Sequence, residues 1–181
     1  MTRHGLSVCA LAVLGLSGLP GSSIAQQPQQ QPPQQQKSTK DMLVGAWTLL
    51  LVDGVKSDGT HVPEFGPNPD GSLMFSPSGR YSLQIERANL PKIKANDREK
   101  PSADESKAIA VGTLAHFGTY TVNDTDKSFT THIEASSYPN WDGTKQMRKI
   151  TAITDDVLTY NVPNPAGGDV DHVELVWRKA K

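Results

Sequence analysis

Cysteine is almost absent from this sequence of 181 residues, which has a single one, Cys9. Cys9 lies in an N-terminal segment that we predict to be cleaved off. A chain that begins after that segment has no thiol. This excludes disulfide bonds, thiolate catalysis and cysteine-based metal sites from the mature protein.

The sequence also lacks an excess of charge and a long apolar run. It has 18 Lys and Arg against 19 Asp and Glu, and the basic residues are scattered. A nucleic-acid-binding module is therefore not expected. The longest apolar run, residues 6–19, is shorter than a membrane span requires, so we expect no integral membrane segment.

The N-terminus has the layout of a secretory signal peptide. Arg3 and His4 precede the apolar run, and the small-residue sequence Ser23-Ile24-Ala25 follows it. We predict cleavage after Ala25, removal of residues 1–25, and export to the periplasm or the medium. A buried N-terminal helix is the alternative interpretation.

The next segment is dominated by glutamine and proline. Residues 26–36 are only Gln and Pro, and residues 37–40 are polar. Such a segment has no apolar face to bury, so we predict a disordered tether over residues 26–40. Residues 41–181 then form one folded domain.

The folded domain has the pattern of an all-β protein. From Asp41 onward apolar residues alternate with polar ones, and turn residues recur about every ten positions. We predict an antiparallel barrel of about eight strands, because closure removes the exposed edges of such a sheet. One short helix interrupts the strands. Ser102 and Glu105 form a capping box at its start, and Ala108, Ile109 and Val111 supply an apolar face, so this helix is expected to be a plug or lid.

Several motifs resemble those of the bacterial and fungal lipocalin-like domain family. Gly45-Ala46-Trp47 has the Gly-x-Trp signature of lipocalin-type barrels, and Arg178 lies in the last strand. The other motifs, in chain order, are Phe65-Gly66-Pro67-Asn68-Pro69, Phe117-Gly118-Thr119-Tyr120-Thr121-Val122, His132-Ile133-Glu134, Pro139-Asn140-Trp141, Gln146-x-Arg148 and Leu175-Val176-Trp177. The resemblance covers residues 43–178 and implies an eight-stranded calycin-type barrel. It also implies that Arg178 covers Trp47 in a cation–π contact that closes one end. It supplies no catalytic residues.

The polar residues between positions 130 and 148 are the candidate site. His132 and Glu134 share one face of a strand, and Arg148 lies on the next strand. If these faces point inward, the three side chains converge, with Trp141 in the connecting loop at the mouth. The alternation equally allows His132 and Glu134 to face solvent. We favour the inward orientation because polar residue types are dense here.

Two tyrosines are further candidates for the interior. Tyr81 alternates with Leu83 and Ile85 along one strand. Tyr120 and Phe117 lie on opposite faces of another strand, so only one of them can point inward.

Metal and hydrolase chemistry find little support in the sequence. His132, Glu134 and His116 could in principle hold zinc, but no familiar metal motif is present. There is no Gly-x-Ser-x-Gly nucleophile motif and no glycine-rich phosphate loop. We therefore expect neither a metal nor a cofactor.

We predict that the domain binds a small, mainly apolar molecule with a polar or acidic group. Arg148, His132 and either Tyr81 or Tyr120 would contact that group. One alternative is a cofactor-free isomerase, cyclase or hydratase in which His132, supported by Glu134, moves a proton. Another is a packed structural or interaction module. The oligomeric state stays open.

Overall fold

The computed structural model describes residues 37–181. The predicted leader and residues 26–36 of the predicted tether lie outside the described residues. Within the described part, the ordered structure begins slightly before the predicted domain boundary at Asp41. Ser38 caps a five-residue helix, and the Ser38 hydroxyl accepts a hydrogen bond from the backbone N–H of Asp41.

The described chain forms a closed antiparallel barrel, as predicted. Nine strands make one sheet, and the first long strand pairs with the last to close it. The short strand β2 pairs only with β1, so the barrel itself has eight strands. The strands are β1 Gly45–Val55, β2 His61–Pro63, β3 Asp70–Phe75, β4 Arg80–Glu86, β5 Thr113–Asn123, β6 Ser128–Ser136, β7 Lys145–Ile153, β8 Val157–Pro163 and β9 His172–Lys179. The helices are α1 Thr39–Leu43 and α2 Ala103–Gly112, with a 3-10 turn at Pro139–Trp141.

The period-two pattern of the sequence places one residue in two inside the barrel. In β4, Tyr81, Leu83 and Ile85 are buried, while the residues between them face outward.

An aromatic layer fills the interior at one end. The Phe75 ring contacts the rings of Tyr120 and Phe129 edge-on, at centroid distances of 4.8 and 5.3 Å. This packing leaves one end of the barrel solid.

Helix α1 closes that solid end. Its last residue, Leu43, is fully buried, and the Leu43 carbonyl accepts a hydrogen bond from the Trp47 indole at 2.8 Å. Lys179 donates from Nζ to the carbonyls of Met42 and Val44, at 3.1 and 2.6 Å. These carbonyls are left unpaired by the end of the helix, so a lysine there is favourable.

The cation over Trp47 is Lys179 and not Arg178, contrary to what the resemblance implied. Lys179 Nζ lies 4.1 Å from the Trp47 ring centroid, whereas Arg178 is exposed. Register explains the difference. Trp47 pairs directly with Lys179, so the two share the inner face, and Arg178 beside it points outward. Gly45 is needed at this contact, because its φ is +128° and a Cβ would lie 2.9 Å from Lys179 Cε.

Helix α2 has the predicted capping box but not the predicted buried face. Ser102 and Glu105 exchange the expected hydrogen bonds. However, Gly112 is the only buried residue of the helix, and Val111 is 64% exposed. The helix supplies no residue to the wall of the interior cavity described below. In the described part of the chain, α1 is the helix that plugs the barrel.

Candidate functional site

The end of the barrel opposite α1 holds a cavity of about 360 Å³. Its wall is mostly apolar and comes from the inner faces of the strands, with Val52, Leu83, Ile85, Val173 and Leu175 among its members. It opens between Phe65, Trp141 and the loop 165–168. The polar side chains on its wall are Glu64, His116, Trp141, Arg148 and Tyr160.

Arg148 is the main charged group inside the barrel. It alternates with the exposed Met147 and Lys149 on β7, so its side chain points inward, and it is only 5% exposed. Its Nη2 donates to Gln146 Oε1 at 2.7 Å, and its Nη1 donates to the Met147 carbonyl at 3.2 Å. Within residues 37–181, Arg148 makes no salt bridge. Burial lowers the pKa of this guanidinium, with the Tyr160 and Tyr81 hydroxyl groups acting in the opposite direction. An arginine side chain nevertheless stays protonated in a protein, so the cavity wall has a positive charge.

His116 and Tyr81 form a buried polar pair beside Arg148. The Tyr81 hydroxyl lies 2.9 Å from His116 Nδ1. Burial, helped by the Arg148 charge, lowers the pKa of His116 to about 3, and burial raises the pKa of Tyr81 to about 12. Both groups are therefore neutral over the physiological pH range. His116 lines the cavity and can form a hydrogen bond with a bound molecule, and Tyr81 holds the His116 ring in place, but both are poor groups for proton transfer.

Two interior residues were missed by the sequence analysis as members of the site. His116 was considered only as a metal ligand, and Tyr160 was not singled out. Their positions were readable from alternation. His116 shares the inner face of β5 with Tyr120, and Tyr160 shares that of β8 with Leu158. Burial raises the pKa of Tyr160 to about 12.

The predicted ligand-binding residues are only partly brought together. Arg148 and Trp141 line the cavity, and the Trp141 ring lies 5.9 Å from that of His116. Tyr81 is buried against His116. Tyr120 points inward and Phe117 outward, but Tyr120 lies in the aromatic layer at the solid end, where its hydroxyl donates to the Ser76 carbonyl at 2.9 Å.

The inward orientation of His132 and Glu134 was wrong. Both are exposed, while Thr131 and Ile133 between and beside them are buried. Glu134 forms a two-pronged salt bridge with Arg80 on the outer surface, at 2.8 and 3.0 Å. The proposed acid–base pair therefore has no access to the cavity. The three residues considered for zinc do not come together either, because His116 points inward whereas His132 and Glu134 point outward. Residues 37–181 contain no group of three or more side chains placed to hold a metal ion.

Glu64 lies at the open end of the cavity. Burial raises the pKa of its carboxyl, although the Arg87 charge acts in the opposite direction. None of the salt bridges in the described chain involves Glu64. The cavity thus has a cation on its inner wall and a carboxylate at its mouth.

The fold and the cavity define a class of protein: a small closed β-barrel with room inside for a ligand. A family model, lipocalin-like domain, matches residues 44–180, and the chain belongs to that family. No curated protein matches the chain. Among solved structures, a redesigned β-barrel is 12% identical, with a TM-score of 0.41, over 80% of this chain and 100% of that one. No helix described here has the length and apolar character to cross a membrane.

Proposed function

We propose that this protein binds a small, mainly apolar molecule inside the barrel and holds its acidic group against Arg148. The observation that carries the proposal is a buried guanidinium on the wall of an apolar cavity without a carboxylate partner in the described chain. We also propose that the protein is exported, on the basis of the predicted signal peptide.

Burial of an unpaired charge is costly. Buried charged groups in folded proteins are normally paired, because removal of a charge from water costs several kcal/mol. Arg148 has one side-chain partner, the neutral amide of Gln146, at 2.7 Å. A ligand carboxylate would supply the missing negative charge. The planar guanidinium offers parallel N–H donors that match the two oxygens of a carboxylate.

The rest of the cavity suits the apolar part of such a ligand. A volume of about 360 Å³ falls within the range of natural small-molecule sites. Trp141 at the mouth offers an aromatic surface. Glu64 disfavours a second negative charge at the open end, which favours a ligand with its acid at the inner end.

Binding is favoured over catalysis by the state of the interior polar groups. A general base needs a pKa near the working pH, whereas that of His116 is lowered to about 3. Tyr81, with its pKa raised to about 12, is a poor general acid. His116 and Tyr160, which line the cavity, can orient the ligand by neutral hydrogen bonds.

Competition binding tests the proposal. The purified protein is first titrated with the fluorescent probe 11-(dansylamino)undecanoic acid, which is then displaced by dodecanoic acid or by dodecanol. We expect dodecanoic acid to bind about tenfold or more tightly than the alcohol, because a charge-assisted hydrogen bond contributes about 1.5–3 kcal/mol.

Arg148→Met is expected to abolish the preference for the acid, and the exposed Arg178→Met is the matched control that keeps it. Equal affinity of the wild type for acid and alcohol would refute the proposal, and so would an unchanged preference in Arg148→Met. If that variant does not fold, the comparison of acid and alcohol on the wild type still decides.

A further inference from the structure

The barrel wall is open between β7 and β8 on the side of the cavity. The two strands pair from Lys149 with Asn161 to Ile153 with Leu158. Strand β7 nevertheless begins at Lys145, and β8 continues to Pro163, which pairs only with β9. Pro163 has no backbone N–H to donate to β7, so the hydrogen bonding between β7 and β8 cannot continue there.

A lateral groove occupies this opening. Its volume is about 360 Å³, and its wall includes Lys145, Gln146, Met147 and Asn164. The groove and the interior cavity have five lining residues in common: Trp141, Arg148, Val162, Pro165 and Ala166. Arg148 donates from Nη1 to the carbonyl of Met147, a groove residue, so its guanidinium lies at the boundary of the two spaces.

The groove has the composition of an anion site. Two cations, Lys145 and Arg148, and two amides, Gln146 and Asn164, line it. No carboxylate is among the described residues of its wall. In the described chain, Lys145 makes no salt bridge that would neutralise it. The interior cavity, in contrast, is mainly apolar and has a carboxylate at its mouth.

We propose that the lateral groove is a second subsite that holds the outer part of an extended acidic head group. The apolar body of the ligand lies in the cavity, a short polar segment follows it, and the terminal carboxylate lies between Arg148 and Lys145, which both line the groove. This inference rests on the proposed function and narrows the ligand class. The ligand has its acid on a polar extension, such as an amide-linked carboxylate, and not directly on the apolar body.

Two probes that differ only in the head group test the groove. Displacement of the dansyl probe is measured with dodecanoic acid and with N-dodecanoylglycine, which has an amide extension before its carboxylate. We expect the wild type to bind the extended acid about fivefold more tightly, because an exposed ion pair adds up to about 1 kcal/mol. Lys145→Gln should reduce this ratio to about one.

Lys149→Gln is the matched control. Lys149 is on the same strand, is exposed and does not line the groove, so the same loss of charge should leave the ratio at about five. A wild-type ratio of one or below overturns the groove proposal, as does an equal effect of the two lysine variants. If dodecanoic acid binds more tightly than dodecanol, but N-dodecanoylglycine binds no more tightly than dodecanoic acid, only the groove proposal fails. If neither acid binds, the proposed function fails with it.

Discussion

Lys179 lies over the ring of Trp47, with Nζ 4.1 Å from the ring centroid, and joins the last strand to the first at the closed end of the barrel. The same ammonium group caps helix α1 by hydrogen bonds to the carbonyls of Met42 and Val44. One side chain of β9 therefore stabilises α1 and β1, two consecutive elements at the other end of the domain sequence.

Lys179→Met should destabilise the fold by about 1–3 kcal/mol, because it removes the cation–π contact and leaves the carbonyls at the helix end unpaired. Urea unfolding followed by tryptophan fluorescence measures the loss. Arg178→Met, which changes the exposed neighbour, should stay within about 0.5 kcal/mol of the wild type. Equal losses in the two variants would contradict the role given to Lys179.

Gly118→Ala should cost about 3 kcal/mol or more. Glu134 is an extra residue in β6, which makes a bulge opposite Gly118 and brings the backbone of His132 against it. A Cβ at Gly118 would overlap the His132 carbonyl oxygen. Since both groups belong to paired backbone, relief requires a shift of the strands. Gly167→Ala, at a position with nothing within 4 Å, should be nearly neutral in the same unfolding assay.

Stability of the unliganded protein should fall as the pH drops below about 6.5. The pKa of His116 is lowered from its ordinary 6.5 to about 3 in the folded state. Between these pH values the unfolded chain binds a proton at His116 that the folded chain does not bind. The contribution of His116 to the free energy of unfolding is therefore fully present above about pH 6.5 and is lost on acidification. The slope approaches about 1.4 kcal/mol per pH unit.

Urea unfolding at several pH values between 7 and 5 measures this slope. His116→Gln should flatten it and still offers Tyr81 a hydrogen-bond partner. His132→Gln, at an exposed position, is the matched control for the loss of a histidine. An identical slope in wild type and His116→Gln would show that His116 is not the group responsible.

Arg148→Met should stabilise the empty protein by about 1–3 kcal/mol while it weakens binding of acids. Replacement of a buried charged group by an apolar side chain of similar volume is often stabilising, because the cost of desolvation disappears. Differential scanning calorimetry without ligand measures the change. A large loss of stability instead would mean that the hydrogen bond from Arg148 to Gln146 is structural, and would weaken the assignment of this arginine to ligand binding.

The strands were predictable because their inner residues are clearly apolar. In β4, Tyr81, Leu83 and Ile85 alternate with polar residues, and the structure buries all three. The capping box of α2 was readable from Ser102 and Glu105 alone. Strand β6 gave a weaker contrast, because neither face is strongly apolar: one has Thr131 beside Ile133, and the other has His132 and Glu134. The orientation of that strand is set by its neighbours in the sheet, through register.

Register also explains the wrong choice of cation at the closed end. A shift of one residue in the pairing of β9 with β1 decides whether Arg178 or Lys179 lies over Trp47. The alternation within β9 alone cannot fix that pairing. Helix α1 was missed because five residues are too few for a helical apolar pattern. His116 was overlooked because the sequence left open whether the face of Phe117 or the face of Tyr120 points inward, and His116 shares the face of Tyr120.

Closure of the barrel by β1 and β9 has a consequence for the order of folding. Trp47 near the start of the domain must find Lys179, the last residue of the last strand, β9. The contact cannot form until synthesis of the domain is almost complete. Contacts between distant positions also make folding slow, since the chain must close a long loop before it gains their stabilisation. Loss of the last strand would leave β1 and β8 as unpaired edges, which are templates for aggregation. A chain cut before His172 should therefore accumulate as aggregate and not as a smaller stable barrel.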